Sequence, residues 1–194
     1  FTGELDYSDI NMNHWAYSYV LSFNNNLKQI ENKSIKSIFN EDKFYPNRPI
    51  TRQEAWEFLS DPKNLQEIMP DDMGFEIISG ADKKMFTGQL LQYNVTPLPG
   101  FKTKWVTEIT HVEQPNYFVD IQLYGPYALW HHKHFIHEID GGVEVEDLVH
   151  YKLPLGVLGR WMHPIVVKPK LNKIFKAREA KMVEKFGHYK NHNK

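Results

Sequence analysis

Cysteine is absent from the 194-residue chain. Its absence excludes disulfides, thiol nucleophiles and thiolate metal sites, and it fits a cytoplasmic protein. The sequence also lacks any apolar run that approaches the roughly 18 to 20 residues of a membrane span. We therefore expect a cytoplasmic protein without a transmembrane segment.

Charge of one sign is not in excess, because 23 lysines and arginines stand against 24 aspartates and glutamates. A near-neutral chain provides no general argument for nucleic-acid binding. The local basic bias, in residues 168–194, is interpreted as the solvated face of a helix. Phosphate-binding glycine loops, GxSxG and HExxH are also missing, which disfavours nucleotide and nucleophilic chemistry.

The sequence does contain a strand-like segment rich in histidine, YGPYALWHHKHFIHE, at residues 124–138. Side chains alternate between the two faces of a strand. One face should therefore carry Trp130, His132, His134 and Ile136, and the other Leu129, His131, Lys133, Phe135 and His137. Because the first face combines large apolar groups with imidazoles, we expect any chemistry of the protein to involve it.

The next segment, GVEVEDLVHYKL, alternates apolar and polar residues after a glycine turn. Its apolar face carries one aspartate, Asp147. A loop centred on Gly141 and Gly142 predicts His134 opposite Val149, with Asp147 as a diagonal neighbour of His134. Since burying a carboxylate without a partner costs several kcal/mol, we predict that Asp147 pairs with His134.

The predicted elements follow the order strand, two short helices, six strands and a long helix. The first strand is expected at 34–45, and the short helices begin at the capping box TRQE and at 64–69. The six further strands are expected at residues 75–79, 89–95, 102–112, 117–124, 128–139 and 143–153. An apolar helical pattern covers 158–186, where Pro164 and Pro169 should kink the helix or separate its first turns.

This order predicts an α+β fold in which an antiparallel sheet of about seven strands packs on the C-terminal helix. The space between a curved sheet and one helix is a natural ligand cavity. Residues 34–187 are expected to form this domain. Residues 1–33 would be an extension, either a marginal amphipathic helix or a poorly ordered leader, and residues 188–194 a polar tail.

Four strings of the sequence resemble the START-like (SRPBCC) ligand-binding proteins with the helix-grip fold. They are WEFLSDPKNLQEIMP, TKWVTEITHVEQPNYFVD, YGPYALWHHKHF and GGVEVEDLVHYKLPLGVLGR. The last two are similar in particular to a bacterial branch labelled polyketide cyclase/dehydrase-like or cell division inhibitor. The resemblance implies a pocket for a hydrophobic small molecule, without a cofactor or a metal. Pro164 and Pro169 depart from the uninterrupted final helix of that family.

The candidate site combines aromatic and polar residues. The aromatic residues predicted to surround the ligand are Trp56, Trp105, Trp130, Tyr151 and Trp161. His132, His134 and Asp147 are the predicted polar contacts. Asp120 and Gln122 are further ligand-binding candidates, whose inward or outward orientation depends on the length of the Gly-Pro corner that follows them.

His132 and His134 have the spacing by which a strand presents two imidazoles to a metal ion, and Asp147 would be a third ligand. We nevertheless expect no bound metal ion, because the site offers three ligands at most and no thiolate. The family that the sequence resembles also implies no metal. The alternative for the same residues is a hydrogen-bonded polar cluster in which Asp147 orients His134.

The function expected from these features is binding of a hydrophobic or aromatic small molecule, such as a lipid, a quinone or a polyketide-like compound. Two alternatives stay open. The first is a cyclase or dehydratase in which His134 and Asp147 act as an acid/base pair. The second is an interaction module that binds a protein or an anionic membrane surface through its terminal helices.

Overall fold

The structure, a computed structural model, describes residues 31–39, 50–98, 100–154 and 163–187, with the backbone alone at 31–39 and at Leu98. The described elements belong to one compact unit, Glu31–Lys194. Its strands are β1 (Glu31–Phe39), β2 (Glu76–Ser79), β3 (Gln89–Leu98), β4 (Phe101–Glu113), β5 (Tyr117–Tyr124), β6 (Leu129–Ile139) and β7 (Gly142–Lys152). Its α-helices are α1 (Arg52–Leu59), α2 (Pro62–Ile68) and α3 (Lys168–Phe186).

The strands of the described chain form one antiparallel sheet in the order β1-β7-β6-β5-β4-β3-β2. From β2 to β7, each strand pairs with its neighbour in sequence, as short connections require. Strand β1 pairs with β7, from Glu31 opposite Tyr151 to Phe39 opposite Val143. The predicted α+β fold, with about seven strands and a C-terminal helix, is confirmed.

Helix α1 begins at the predicted capping box. Thr51 Oγ1 accepts a hydrogen bond from the Glu54 backbone N–H at 3.3 Å, and the Glu54 carboxylate accepts one from the Thr51 backbone N–H at 2.9 Å. Two donors that a helix start would otherwise leave unpaired are thereby satisfied. The helix then buries one face, which carries Ala55, Trp56, Phe58 and Leu59.

The β6–β7 hairpin has a two-residue turn at Asp140 and Gly141. The φ of Gly141 is +74°, a left-handed conformation that favours glycine. The turn lies one position before the predicted one, so His134 pairs with Asp147 instead of Val149. A shift of two residues keeps every side chain on its face of the sheet, so the predicted inward face is right although the predicted cross-strand partners are wrong.

Helix α3 is preceded by a π-helical turn, His163–Val167. Pro164 lies in this turn, and Pro169 lies in the first turn of α3, where a missing N–H breaks no helical hydrogen bond. The π-helical turn and α3 follow each other without a gap, so the kink or split expected from the two prolines stays a prediction. The part of the predicted helix before His163 lies outside the described residues.

The core lies between the inner face of the sheet and the helices, in three clusters. The first joins α1 to β6, β7 and the end of α3 through Trp56, Phe58, Ile136, Val145, Met182 and Phe186. The second joins Met73, from the turn before β2, to residues of β3 and β4, namely Leu91, Tyr93, Val95 and Ile109. The third joins β6 and β7 to the middle of α3 through Trp130, Val149, Tyr151, Leu171 and Phe175. Packing against the first and third clusters holds α3 across the sheet.

The expected limits of the domain, residues 34 and 187, stay a prediction. Strand β1 starts at Glu31, three residues before the expected boundary at 34. The helix expected within residues 1–33, the strand residues after Phe39 and the polar tail at 188–194 lie outside the described chain. Of the helices that the structure describes, none is both long and apolar enough to span a membrane.

Candidate functional site

A cavity of about 580 Å³ lies between the inner face of the sheet, α2 and α3. Its lining is mostly apolar and includes Leu65, Ile68, Leu91, Val95, Ile109, Phe118, Leu171, Ile174 and Phe175. Phe101 and Tyr124 also line the cavity, and they are 58% and 62% exposed. The cavity therefore opens to solvent beside these two rings.

Polar side chains line one end of this cavity. They are Asp120 on β5, His132 and His134 on β6, and Arg178 on α3. Asp147 on β7 does not line the cavity and is buried in contact with His132, His134 and Arg178. The register brings these groups together, because His132 lies opposite Asp120 and His134 opposite Asp147. These five residues are called the polar cluster below.

The Asp147 carboxylate is the centre of the polar cluster. Its Oδ1 accepts hydrogen bonds from His132 Nε2 at 2.8 Å and from Arg178 Nη1 at 3.4 Å. The same oxygen is 2.9 Å from His134 Nδ1, at an angle outside hydrogen-bond geometry. The predicted contact between Asp147 and His134 is therefore present, but the better hydrogen bond joins Asp147 to His132. These partners offset the large cost of burying the carboxylate.

Asp120 contacts the same two imidazoles from the side that lines the cavity. Its Oδ2 accepts a hydrogen bond from His134 Nε2 at 2.8 Å and lies 3.7 Å from His132 Nδ1. The two imidazole centroids are 3.7 Å apart, and the Phe118 ring stacks on His134 at 4.1 Å. Each imidazole is therefore held between two carboxylates.

Burial and mutual charge set opposite pKa directions for the two histidines. Burial lowers the pKa of His132, and the neighbouring charge of His134 lowers it further. Burial also acts to lower the pKa of His134, but the contacts with Asp120 and Asp147 outweigh burial, so this pKa is raised. Of the two imidazoles, His134 therefore binds a proton more readily, and His132 is neutral at neutral pH.

The carboxylates of the polar cluster stay ionised despite burial. Burial raises the pKa of Asp147, but the Arg178 guanidinium and the two histidines hold it well below its usual range. The pKa of Asp120 is also lowered, because its hydrogen bond to His134 and the nearby imidazole charges outweigh the effect of burial. The Arg178 guanidinium and the two imidazoles thus lie in contact with the two carboxylates, which reduces the cost of burying these negative charges.

The neutral imidazole of His132 has a defined tautomer. Its Nε2 donates to the ionised Asp147, so its proton is on Nε2 and its Nδ1 carries a lone pair. This Nδ1 is 3.7 Å from Asp120 Oδ2, which is beyond hydrogen-bond distance. His132 Nδ1 is therefore an electron-pair donor at the polar end of the cavity.

An aromatic wall adjoins the polar cluster. Trp105, Tyr127 and Trp130 lie with their ring centroids 4.8 to 5.6 Å apart. Gln122 fixes the corner that carries Tyr127, because its Nε2 donates to the Tyr127 carbonyl at 2.7 Å. A Cβ on Gly125 would lie 2.4 Å from Gln122 Oε1, so a larger residue there would displace the amide that holds the corner.

The structure separates the predicted ligand-binding residues into two groups. Those that line the cavity are Trp105, Asp120, Trp130, His132 and His134. The other predicted residues that the structure describes are not part of this lining. Trp56 lies in the first core cluster against Phe118, Gln122 holds the corner, and the Tyr151 hydroxyl is 2.6 Å from His163 Nε2. Asp147 is buried outside the lining, and Trp161 lies outside the described residues.

The sequence analysis missed Arg178, the cation of the polar cluster. It was assigned with the lysines of α3 to the solvated face, yet it is only 7% exposed. The sequence did contain a signal for its burial, because Arg178 lies on the apolar stripe of α3. The stripe has spacings of four, three and four residues, at Leu171, Phe175, Arg178 and Met182. An arginine at a position of the apolar stripe indicates a buried acidic partner, here Asp147 on β7.

Comparison with solved structures identifies the same architecture. A protein of Thermus thermophilus matches with a TM-score of 0.58 and 11% identity, over 79% of this chain and 98% of that chain. Major latex-like protein 151 of Panax ginseng matches with a TM-score of 0.57 and 9% identity, over 81% of this chain and 98% of that chain. This chain has the helix-grip fold. At such low sequence identities, the structural similarity shows the fold alone. This fold is the one that the START-like resemblance of the sequence implied.

Other comparisons add little to the fold. Protein Ms6760 of Mycobacterium smegmatis matches with a TM-score of 0.54 and 16% identity, over 79% of this chain and 91% of that chain. A family model for the S-layer homology domain matches residues 39–55, too short a stretch to show a family. No curated protein matches the sequence. The cavity and the polar cluster therefore carry the functional inference.

Proposed function

We propose that this protein binds a hydrophobic or aromatic small molecule, such as a lipid, a quinone or a polyketide-like compound, in the cavity between the sheet and α3. The observation that carries the proposal is the cavity itself, about 580 Å³ in volume, with an apolar lining and polar groups at one end. Ligand cavities have volumes of roughly 300 to 1,000 Å³, with a few placed polar groups among apolar walls.

The polar cluster suggests how the ligand is oriented. The apolar body would pack against Trp105, Tyr127 and Trp130, while a polar head would reach Asp120 and His132. Because His132 Nδ1 carries a lone pair at this end, the head is expected to include a hydroxyl or phenol that donates a hydrogen bond.

A second candidate function is acid/base catalysis of a cyclisation or dehydration, as in the polyketide cyclase-like branch that the sequence resembles. One arrangement favours it: the imidazoles of His132 and His134, whose pKa values are shifted in opposite directions, lie 3.7 Å apart at one end of the cavity. Such a pair offers one proton donor and one acceptor to the same substrate. Turnover of a reactive poly-β-ketone by the wild type, lost in His132→Gln, would support catalysis over binding alone.

Native mass spectrometry of protein isolated from cells is the direct test of the binding proposal. We expect a fraction with excess mass, from which a hydrophobic compound is extracted and identified. A protein without excess mass that also fails to bind the neutral fluorescent probe N-phenyl-1-naphthylamine would overturn the proposal.

A variant that fills the cavity provides a matched test. Ile174 on α3 lines the cavity, whereas Ala180 on the same helix is exposed. We expect Ile174→Trp to weaken probe binding about tenfold, equivalent to about 1.4 kcal/mol, because the indole takes up ligand volume. Ala180→Trp should bind the probe like the wild type. Equal affinities for the two variants would show that the probe binds elsewhere.

A further inference from the structure

We propose that Asp120, His132 and His134 form a binding site for one divalent transition-metal ion at the polar end of the cavity. Each of the three residues offers a ligand atom within 4.8 Å of the other two. All three line the cavity, and their side chains are at most 14% exposed. Two imidazoles and a carboxylate on one sheet face are a donor set for zinc, cobalt or nickel.

The two separations between Asp120 and the histidine nitrogens lie on either side of the spacing that a single ion requires. Ligand bonds of about 2.0 to 2.2 Å in tetrahedral geometry place the donor atoms about 3.4 Å apart. Asp120 Oδ2 is 3.7 Å from His132 Nδ1 and 2.8 Å from His134 Nε2. The second distance is a hydrogen bond, so the ion would replace the proton on His134 Nε2, and Asp120 would move away from His134.

The surroundings of the histidines match those of metal ligands. A ligating imidazole commonly donates its other ring N–H to a carboxylate, which fixes the tautomer and the ring orientation. Asp147 accepts such a hydrogen bond from His132 Nε2 at 2.8 Å, and the same Oδ1 contacts His134 Nδ1 at 2.9 Å without hydrogen-bond geometry. Arg178 in turn holds Asp147 at 3.4 Å.

This arrangement differs from the site considered on sequence grounds, where Asp147 was the third ligand and no metal was expected. In the structure Asp120 takes the place of Asp147, and Asp147 supports the ligands from behind. Three protein ligands leave a coordination position open, and here it would face the cavity. If the proposed small-molecule binding holds, the ligand would have an oxygen atom that occupies this position.

The test uses metal ions alone, so it does not depend on the small molecule. Chelator-stripped protein is titrated with Zn²⁺ by calorimetry and with Co²⁺ by visible absorption. We expect one ion per chain and Co²⁺ bands of a nitrogen- and oxygen-ligated site. Both should be lost in His132→Ala and His134→Ala. Asp147→Asn should retain the site with affinity reduced roughly 10- to 100-fold, as for other residues that support ligands.

A control variant addresses the second group of potential ligands, His137, Glu144 and Glu146, on the outer side of the β6–β7 hairpin. His137→Ala should bind Zn²⁺ as the wild type does. Circular dichroism and probe binding establish that each variant is folded. If a histidine variant does not fold, Asp120→Asn is used in its place. Absence of saturable one-to-one binding in folded wild type, or binding that survives His132→Ala or Asp120→Asn, would overturn the metal site. Unchanged probe binding in that case would leave the proposed ligand cavity standing.

Discussion

At the scale of single residues, Asp147 connects the stability of the fold to the candidate site. It contacts two imidazoles and a guanidinium through one carboxylate oxygen. Because these groups are buried together, removing one charge changes the hydrogen bonding and the ionisation of the others. The energies of the individual contacts are therefore not independent.

Asp147→Asn tests this dependence with almost no change in volume. We expect a loss of about 1 to 3 kcal/mol in the free energy of unfolding, because His132 and Arg178 lose a charged acceptor. His134→Ala should cost a similar amount, and the double variant should cost less than the sum, since both changes disrupt one cluster. Urea denaturation of the wild type and the three variants measures these values.

Asp82→Asn is the control for this comparison, since Asp82 is exposed in the loop between β2 and β3. Its stability should equal that of the wild type. Additive effects of Asp147→Asn and His134→Ala would show that the two residues do not act through one cluster.

His131 provides a prediction on pH, on the outer face of the sheet. It is 5% exposed and lies opposite His150, with Lys133 nearby on the same strand. Burial, with the charges of Lys133 and His150, lowers the pKa of His131 to about 4. A folded-state pKa below the unfolded value of about 6.5 means that its contribution to stability is present above pH 6.5 and is lost as the pH falls toward 4.

We therefore expect the wild type to lose more stability than His131→Gln between pH 7.5 and 4.5. The difference should be on the order of 2 kcal/mol, from the linkage between the two pKa values. Urea denaturation of both proteins at the two pH values measures it. Parallel losses would show that His131 titrates in the folded protein as it does in the unfolded chain.

At the scale of elements, the site depends on α3 and on three neighbouring strands. Strands β5, β6 and β7 supply Asp120, the two histidines and Asp147, and α3 supplies Arg178. Helices α1 and α2 contribute packing: α1 fills the core at one end of the sheet, and α2 lines the cavity. The start of α1 should therefore affect stability without changing the polar cluster.

Thr51→Ala tests the capping box of α1. We expect a loss of about 1 kcal/mol in the free energy of unfolding, because the Glu54 N–H loses its acceptor and the Glu54 carboxylate loses a partner. Thr87→Ala is the matched control, since Thr87 is exposed in the turn before β3. Urea denaturation should show no change for the control. An equal effect of both substitutions would exclude capping as the cause.

At the scale of the whole molecule, the sheet and its core form one unit from Glu31 onward. The three core clusters are built from residues between Ile50 and Phe186. Strand β1 completes the sheet by pairing with β7 along its whole length. We therefore expect the folded domain to require the chain from β1 onward.

We predict that a chain shortened to residues 31–194 folds cooperatively with a melting temperature within a few degrees of the full chain. A loss of 1 kcal/mol shifts a domain of this size by roughly 2 to 4 °C. A chain shortened to residues 40–194 is the comparison. It should melt at a clearly lower temperature, because the edge of β7 would lose its partner. An unfolded 31–194 protein would show that residues 1–30 are required for the core.

The sequence by itself determined the periodicity of this protein, and from it most of the architecture. Alternation every two residues placed Trp130, His132 and His134 on one face, and the capping box located α1 to the residue. These features are local, because each depends on side chains within a few positions of one another. The long helix was likewise predicted from its apolar stripe.

The tertiary structure alone decided which partners meet. A turn displaced by one position changed every cross-strand pair of the β6–β7 hairpin, although no side chain changed face. The register of β5 with β6 placed Asp120 beside the two histidines, and the packing of α3 brought Arg178 to Asp147 across 31 positions of sequence. Such contacts depend on how separate elements pack, which local periodicity does not specify, and they determine the charge and the donor atoms of the site.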